Sequence, residues 1–149
     1  MKSLLRDIDT VVSELTSGLA FLRESSGAKV PISSYLNAFP ERKLTELAPF
    51  CLIHPGKGAI GRERTRRVAV KFCLYQPDRA TALTELDGLV TALVPLSHPG
   101  RWTPWIQSGF TDSFGDDDTG LQPHPLYFYE ITLDFTTSQT SHYQPWRSS

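Results

Sequence analysis

The sequence predicts a single α+β domain in which a mostly antiparallel sheet packs against two helices. Two segments carry apolar residues at helical spacing, and four others are short apolar or alternating runs typical of strands. With 149 residues, 40% of them hydrophobic, the chain is long enough for one core and short for two. The expected order is helix, strand, strand, helix, strand, strand. We expect this domain to occupy residues 1–136, with a polar tail over residues 137–149.

The first helix is predicted from an apolar stripe that faces the core. Its members are Leu4, Leu5, Ile8, Val11, Val12, Leu15, Leu19 and Leu22. Ser3 is the candidate N-cap, and residues 25–27 are expected to end the helix after about five turns. Residues 29–47, which contain Pro31 and Pro40, are expected to be irregular.

The first two strands flank a glycine-rich turn. Residues 50–53 form a short apolar run, which we expect to end at His54, Pro55 and Gly56. Residues 64–75 alternate, and a period of two predicts a strand with one buried face. That face carries Val68, Val70, Phe72 and Leu74, and the other carries Arg67, Ala69, Lys71, Cys73 and Tyr75.

The second half of the chain is also predicted to contain a helix followed by two strands. A helix is predicted to begin after the N-cap Asp78 and to end before Pro95. Its inner face is expected to consist of Leu83, Leu86, Val90 and Leu93. A strand is expected at residues 100–110, and a loop at residues 112–120. The last strand, residues 126–136, places on one face Tyr127, Tyr129, Ile131, Leu133 and Phe135.

Charge, hydropathy and cysteine content exclude several classes. The formal net charge of −1 excludes a globally basic nucleic-acid binder. Residues 47–53, the longest apolar run, fall far short of the ~20 residues that cross a bilayer, so no membrane partner is expected. Arg6 and Asp7 interrupt any signal-peptide core. Cys51 and Cys73 are too few for a disulfide framework, so we expect a soluble protein with buried thiols, folded in a reducing cytoplasm.

No enzyme motif or cofactor site is expected. Gly56, Gly58 and Gly61 match G-x-G-x-x-G, but they lead into a strand, whereas a dinucleotide-binding turn opens a helix. With Val68–Lys71 they imitate the nucleotide-binding lobe of protein kinases, yet neither His-Arg-Asp nor Asp-Phe-Gly occurs. The four histidines show no close metal-ligand spacing.

A basic cluster surrounds the glycine-rich turn. It contains Lys57, Arg62, Arg64, Arg66, Arg67 and Lys71, six of the 15 basic residues. A solvated strand face explains such a cluster, and so does a docking patch for an acidic protein surface or for passing DNA.

An acidic cluster contains Asp112, Asp116, Asp117 and Asp118. We expect a solvated, extended and mobile loop. The alternatives are an adventitious Mg²⁺ or Ca²⁺ site, or a small metal-dependent enzyme that combines three of these aspartates (Asp112, Asp116 and Asp118) with a histidine. One basic and one acidic loop also fit a head-to-tail ring. In the polar tail, Tyr143 and Trp146 are candidate interface anchors.

The element order, the charged hairpin tip and the final strand, with its run Glu130-Ile131-Thr132-Leu133-Asp134-Phe135, resemble the tail terminator proteins of long-tailed bacteriophages. The resemblance implies a structural virion protein, assembled in the host cytoplasm as a ring, expected to be a hexamer, on the tail tube. It implies as partners the tube protein and head-completion or connector proteins, with DNA only as cargo in the channel, and no catalytic residues. A neighbouring neck protein, either a head-closure or a connector ring, is the alternative.

Overall fold

A computed structural model describes residues 4–38, 42–97 and 102–138, which form an α+β fold. The helices are α1 (Leu4–Thr16), α2 (Leu44–Leu47), α3 (Arg79–Leu93) and a 3₁₀ helix (Val94–Ser97). The strands are β1 (Phe21–Leu22), β2 (Lys29–Val30), β3 (Ser33–Leu36), β4 (Phe50–Ala59), β5 (Glu63–Tyr75), β6 (Ile106–Phe114) and β7 (Leu126–Ser138). The α+β class is therefore confirmed. The predicted order lacked β2, β3 and α2, because residues 29–47 were expected to be irregular, and it lacked β1, because residues 21–22 were assigned to the first helix.

Five strands form one sheet in the order β3-β4-β5-β7-β6. β3 runs parallel to β4, and the remaining neighbours are antiparallel. β1 and β2 form a separate hairpin. The sheet therefore has β3 and β6 at its edges and places the long pair β5–β7 at its centre.

The two faces of the sheet are covered differently. The helix-covered face packs against α1, α3 and the 3₁₀ helix, and includes Val70, Ile131 and Leu133, which are fully buried. The open face is packed at one end against α2, where Phe50, Cys73 and Phe128 form a smaller cluster with Leu47. Because side chains alternate along each strand, β5 and β7 contribute to both faces.

α3 and the long strands follow the prediction. Asp78 caps α3 by accepting a hydrogen bond from Thr81 N at 2.9 Å. The five residues predicted to share one face of β7 are all buried. Leu83 was wrongly placed on the inner face of α3, since its side chain is 63% exposed. Leu86 and Leu93 are buried as predicted, Val90 is partly buried against the core, and Ala82 and Leu89 complete the buried stripe.

α1 ends at Thr16, earlier than predicted, although the leucine spacing continues. Ser17 Oγ donates to Glu14 O, and Thr16 Oγ1 donates to Val12 O, so side chains compete for helix carbonyls at this end. Residues 25–27 belong to the turn between β1 and β2, where Gly27 has a φ of 68°. The candidate N-cap Ser3 lies outside the described residues.

β4 continues to Ala59 rather than ending at His54. β3 pairs with β4 only as far as Ile53, whose carbonyl accepts from Asn37 N. Pro55, two residues further, points to the same side, where β3 no longer pairs with β4. Its missing N–H therefore costs no ladder bond, and a bulge follows between Pro55 and Gly58.

β6 begins later and ends later than predicted. The strand covers Ile106–Phe114, so Asp112 is a strand residue and the following loop begins at Gly115. Trp102 precedes the strand and is buried, with Nε1 donating to Gln107 Oε1 at 2.9 Å. No helix among the described residues is both long and apolar enough to span a bilayer.

Candidate functional site

The alternation of β5 divides the basic cluster. Arg64 and Arg66 lie on the same side of the strand as Val68, whereas Arg67 lies on the open face. The Arg64 guanidinium sits over the Trp105 ring, 5.1 Å from its centroid. Arg66 Nη1 donates to Gly56 O at 3.3 Å. The six basic residues therefore do not form one continuous patch.

An open depression of about 460 Å³ lies on the open face, beside the turn between β4 and β5. We call it the distal trough. Its lining includes Lys57, Thr65, Arg67, Ser108, Asp134 and Thr136. Arg67 Nε donates to Asp134 Oδ1 at 2.8 Å, and this hydrogen bond, together with the carboxylate charge, raises the pKa of Arg67. Lys57 is exposed at the edge of the same depression.

Two glycines allow close packing of the strands around the trough, and each lies at or beside a bulge. A Cβ at Gly58 would collide with the carbonyl oxygen of Thr65. A Cβ at Gly109 would come within 2.9 Å of Asp134 Oδ2, so glycine leaves room for the Arg67–Asp134 ion pair. Tight strand packing therefore depends on both positions.

Asp116, Asp117 and Asp118 lie in a segment that we call the Asp loop, residues 115–125, whereas Asp112 belongs to β6. Asp116 N donates to Leu121 O at 2.8 Å, and Gly120 N donates to Asp116 O at 2.7 Å. Gly115 and Gly120 have φ values of 84° and 71°, which glycine adopts without strain. The loop is thus a closed turn, and the expectation of an extended segment was wrong because its own hydrogen bonds outweigh carboxylate repulsion.

Gln122 anchors the Asp loop to β7. Its Nε2 donates to Phe128 O at 2.9 Å, and its Oε1 accepts from Phe128 N at 2.7 Å. The side-chain amide thereby takes the place of a strand residue beyond the end of β6. The sequence carried no signal for this role, since an isolated glutamine in a polar loop has no distinctive pattern.

Three of the four carboxylates in the acidic cluster accept hydrogen bonds, each from a different donor. Asp112 accepts from Tyr129 Oη at 2.8 Å, and Asp116 Oδ1 accepts from Asp118 N at 2.7 Å. Asp117 Oδ2 accepts from Lys71 Nζ at 3.4 Å, which brings one basic residue to the acidic end of the sheet. Within residues 4–38, 42–97 and 102–138, no group of three His, Cys, Asp or Glu residues is placed to hold a metal ion.

Two thiols and one phenol in the core have raised pKa values. Burial raises the pKa of Cys73 to about 12, with Lys71 acting weakly in the opposite direction. Burial also raises the pKa of Cys51, and the nearby Asp9 adds to this. The pKa of Tyr129 is raised by burial and by its hydrogen bond to Asp112. Both thiols are therefore protonated at neutral pH.

The trough and the Asp loop lie towards opposite ends of the central strands. Thr65 lines the trough, while Lys71, six residues further along β5, contacts Asp117, a separation of about 20 Å. Each end also exposes large apolar side chains. Leu121 in the Asp loop is 71% exposed, Ile60 at the hairpin turn is 79% exposed, and Ile106, which pairs with Thr136, is 62% exposed.

Exposed apolar residues at these ends were missed by sequence reasoning, which considered only the charges of the two clusters. Of the predicted interface residues, Arg62 lies in the exposed turn between β4 and β5. Tyr143 and Trp146 lie outside the described residues, and their interface role stays a prediction.

No protein-family model matches the chain, and no curated protein matches it in sequence.

Proposed function

We propose that the protein is a tail terminator of a long-tailed bacteriophage, a structural virion subunit that forms a ring, expected to be a hexamer, at the end of the tail tube. The observation that carries this proposal is the separation of charge along one sheet. Lys57 and Arg62 lie at the hairpin end, and Asp116–Asp118 lie at the other end. This supports the sequence resemblance on physical grounds.

Charge separation of this kind favours contacts between unlike ends of neighbouring copies. A basic end placed against an acidic end is attractive, and like ends placed together repel. A repeated contact between different surfaces of one subunit generates a closed ring when its rotation closes. A ring of such subunits is the assembly that a tail terminator needs in order to cap a tube.

The proposed role requires no chemistry from the side chains. The ring stops growth of the tube and presents a surface to the head-completion or connector proteins, with DNA passing through its channel. Arg64 and Arg66, which lie off the trough, belong to the surface available for these partners.

The test is the solution mass of the purified protein over a concentration series, by light scattering and negative-stain imaging, with and without tail tubes of the same phage. A mass six times 16.7 kDa, or a monomer that forms rings on the ends of tubes, is expected. A monomer or dimer that is indifferent to tubes contradicts the proposal.

A pull-down with separately purified tail proteins distinguishes the neighbouring neck role. A terminator retains the tube protein, whereas a head-closure ring retains the connector and not the tube protein. Matched beads carrying bovine serum albumin serve as the control for non-specific retention by the charged ends.

A further inference from the structure

We propose that the Asp loop of one copy docks in the distal trough of the next copy, with Leu121 as the central apolar contact. The inference names the two surfaces that meet in the ring, and it rests on the proposed function for the ring itself. The partner that occupies the trough is a second copy of this chain, identified by complementary charge and by an exposed apolar side chain on each surface.

The trough offers a receptor of mixed character. Small side chains line it, including Ala59, Thr65 and Ser108, and the exposed Ile60 and Ile106 lie at the ends of the flanking strands. Lys57 adds positive charge that no described ion pair neutralises. A surface of small residues with an apolar rim and an adjacent cation suits an apolar side chain flanked by carboxylates.

The Asp loop offers a matching ligand. Its closed turn fixes the backbone from Asp116 to Leu121, and the Gln122 amide holds the loop on β7. Leu121 is 71% exposed, and the exposed Asp117 and Asp118 are close to it in the same turn. A rigid loop loses little conformational freedom on docking, which favours binding.

The contact has to form between copies. Within one chain, Asp117 is held at Lys71, about 20 Å along β5 from Thr65 in the trough. The Asp loop therefore cannot reach the trough of its own chain. A surface at one end that fits a loop at the other end is a head-to-tail contact, which closes into a ring or continues as a filament.

The lining of the trough favours an acidic protein loop over a nucleic-acid backbone. Asp134 lies in the trough and already pairs with Arg67, so a phosphate entering there would meet a carboxylate and a cation that is already engaged. Leu121 would instead bury apolar surface there, and Asp118 would approach Lys57 at the edge.

The first test traps the contact covalently. A chain carrying Ser108→Cys and Leu121→Cys is oxidised as the intact protein, and the products are separated on non-reducing gels. The natural Cys51 and Cys73 are buried and do not compete. Cross-linked dimers and larger ladders are expected, because a disulfide forms only between Cα atoms within ~7 Å.

The matched control is Ser108→Cys with Leu83→Cys, since Leu83 is exposed on α3 and outside the contact. Its cross-linked yield is expected to be about 10-fold lower, as random collisions have no preferred geometry. Equal yields from the two variants overturn the proposal, as does the absence of a ladder from the first.

The second test uses the head-to-tail direction of the contact, in which each copy supplies one loop and one trough. Leu121→Asp blocks the loop, and Ser108→Trp fills the trough, while each variant keeps its other surface. Each alone is expected to self-associate at least about 10-fold more weakly than the unaltered chain. An equimolar mixture is expected to stop at dimers, because one working contact remains. Rings formed by either variant alone overturn the proposal, and thermal melts check that both fold.

The outcomes separate this inference from the proposed function. Cross-linked rings that do not bind tail tubes contradict the terminator role and leave the contact standing. Capping of tubes by Leu121→Asp at undiminished strength contradicts the contact and leaves the terminator role standing.

Discussion

The two faces of the sheet share the same strands and differ in what covers them. In β7, Ile131, Leu133 and Phe135 are almost completely buried beneath the helices, whereas Glu130 and Asp134 alternate with them on the open face. One face is committed to the core. The other face carries the distal trough and Lys71, which contacts Asp117 of the Asp loop. This division implies that stability and association respond to different substitutions in the same strand.

The largest effect on stability is expected from Leu133→Ala on the helix-covered face. Leu133 is fully buried and pairs with Val68 and Phe110. Removing its side chain leaves a cavity that the surrounding core cannot fill, and the free energy of unfolding is expected to fall by about 2–5 kcal/mol. Urea denaturation followed by circular dichroism measures this change.

The matched control is the neighbouring Thr132→Ala on the open face, which pairs with Ala69 and Thr111. Its change in the free energy of unfolding is expected to stay below about 1 kcal/mol. Similar losses in the free energy of unfolding from the two variants would contradict the inference that the helix-covered face, rather than the open face, determines stability at this point of β7.

The division between the faces is largely readable from the sequence in β5 and β7. Their period-two alternation predicts both the buried and the open side chains, and it places Arg67 on the opposite face from Val68. The same alternation separates Arg64 and Arg66 from Arg67. The grouping of the six basic residues into one cluster ignored this alternation, because residues that are close in sequence can lie on opposite faces of a strand.

The remaining misses come from interactions between distant segments. β3 is four residues long and becomes a strand by pairing with residues 50–53, so its local pattern carries little signal. β4 continues through Pro55 because its pairing with β3 has already ended there. The local sequence of β4 carries no information about where β3 ends. The trough likewise depends on Ser108 and Thr65 meeting across two strand pairings.

The next largest effect is expected from Gly58→Ala at the bulge between β4 and β5. An added Cβ would collide with the Thr65 carbonyl oxygen, so the β4–β5 pairing would have to shift. Overpacking of this kind is expected to cost about 1–3 kcal/mol. Such a loss would show that backbone packing at an exposed bulge contributes to stability as well as burial in the core.

Gly88→Ala provides the opposite control within α3, where a Cβ meets no atom within 4 Å. Alanine is favoured over glycine inside a helix, so this variant is expected to gain about 0.5–1 kcal/mol. Denaturation of both variants under one set of conditions measures the two changes. A gain at Gly58 would mean that the bulge is not tightly packed.

A smaller effect is expected from Asp78→Ala, which removes the cap that starts α3. Hydrogen bonds from the Thr81 hydroxyl and from Thr81 N hold the pKa of Asp78 below its ordinary value. Because the folded state favours the ionised form, the contribution is present above the unfolded-state pKa of about 3.9 and is lost as pH falls through the lower folded-state pKa.

Thermal melts between neutral and strongly acidic pH measure this contribution. The variant is expected to have the lower Tm at neutral pH, and the difference from the unaltered chain is expected to shrink in acid. A difference that is independent of pH would mean that the ionised form of Asp78 is not what stabilises the start of α3. Asp87→Ala, an exposed carboxylate within α3 that caps no helix end, is the control.

The smallest effect on stability, with the largest effect on association, is expected from the pair Lys57→Glu and Arg62→Glu. Both side chains are exposed, so the melting curve should be unchanged. The substitutions place negative charge where the Asp loop of the next copy would dock, and ring formation should be lost at low salt. Lys29→Glu with Arg42→Glu makes the same change in net charge at exposed positions outside the trough. Rings that survive the first pair but not the second would place the contact elsewhere. Loss of rings with the first pair alone locates association at the hairpin end of the open face, away from the end that packs against α2.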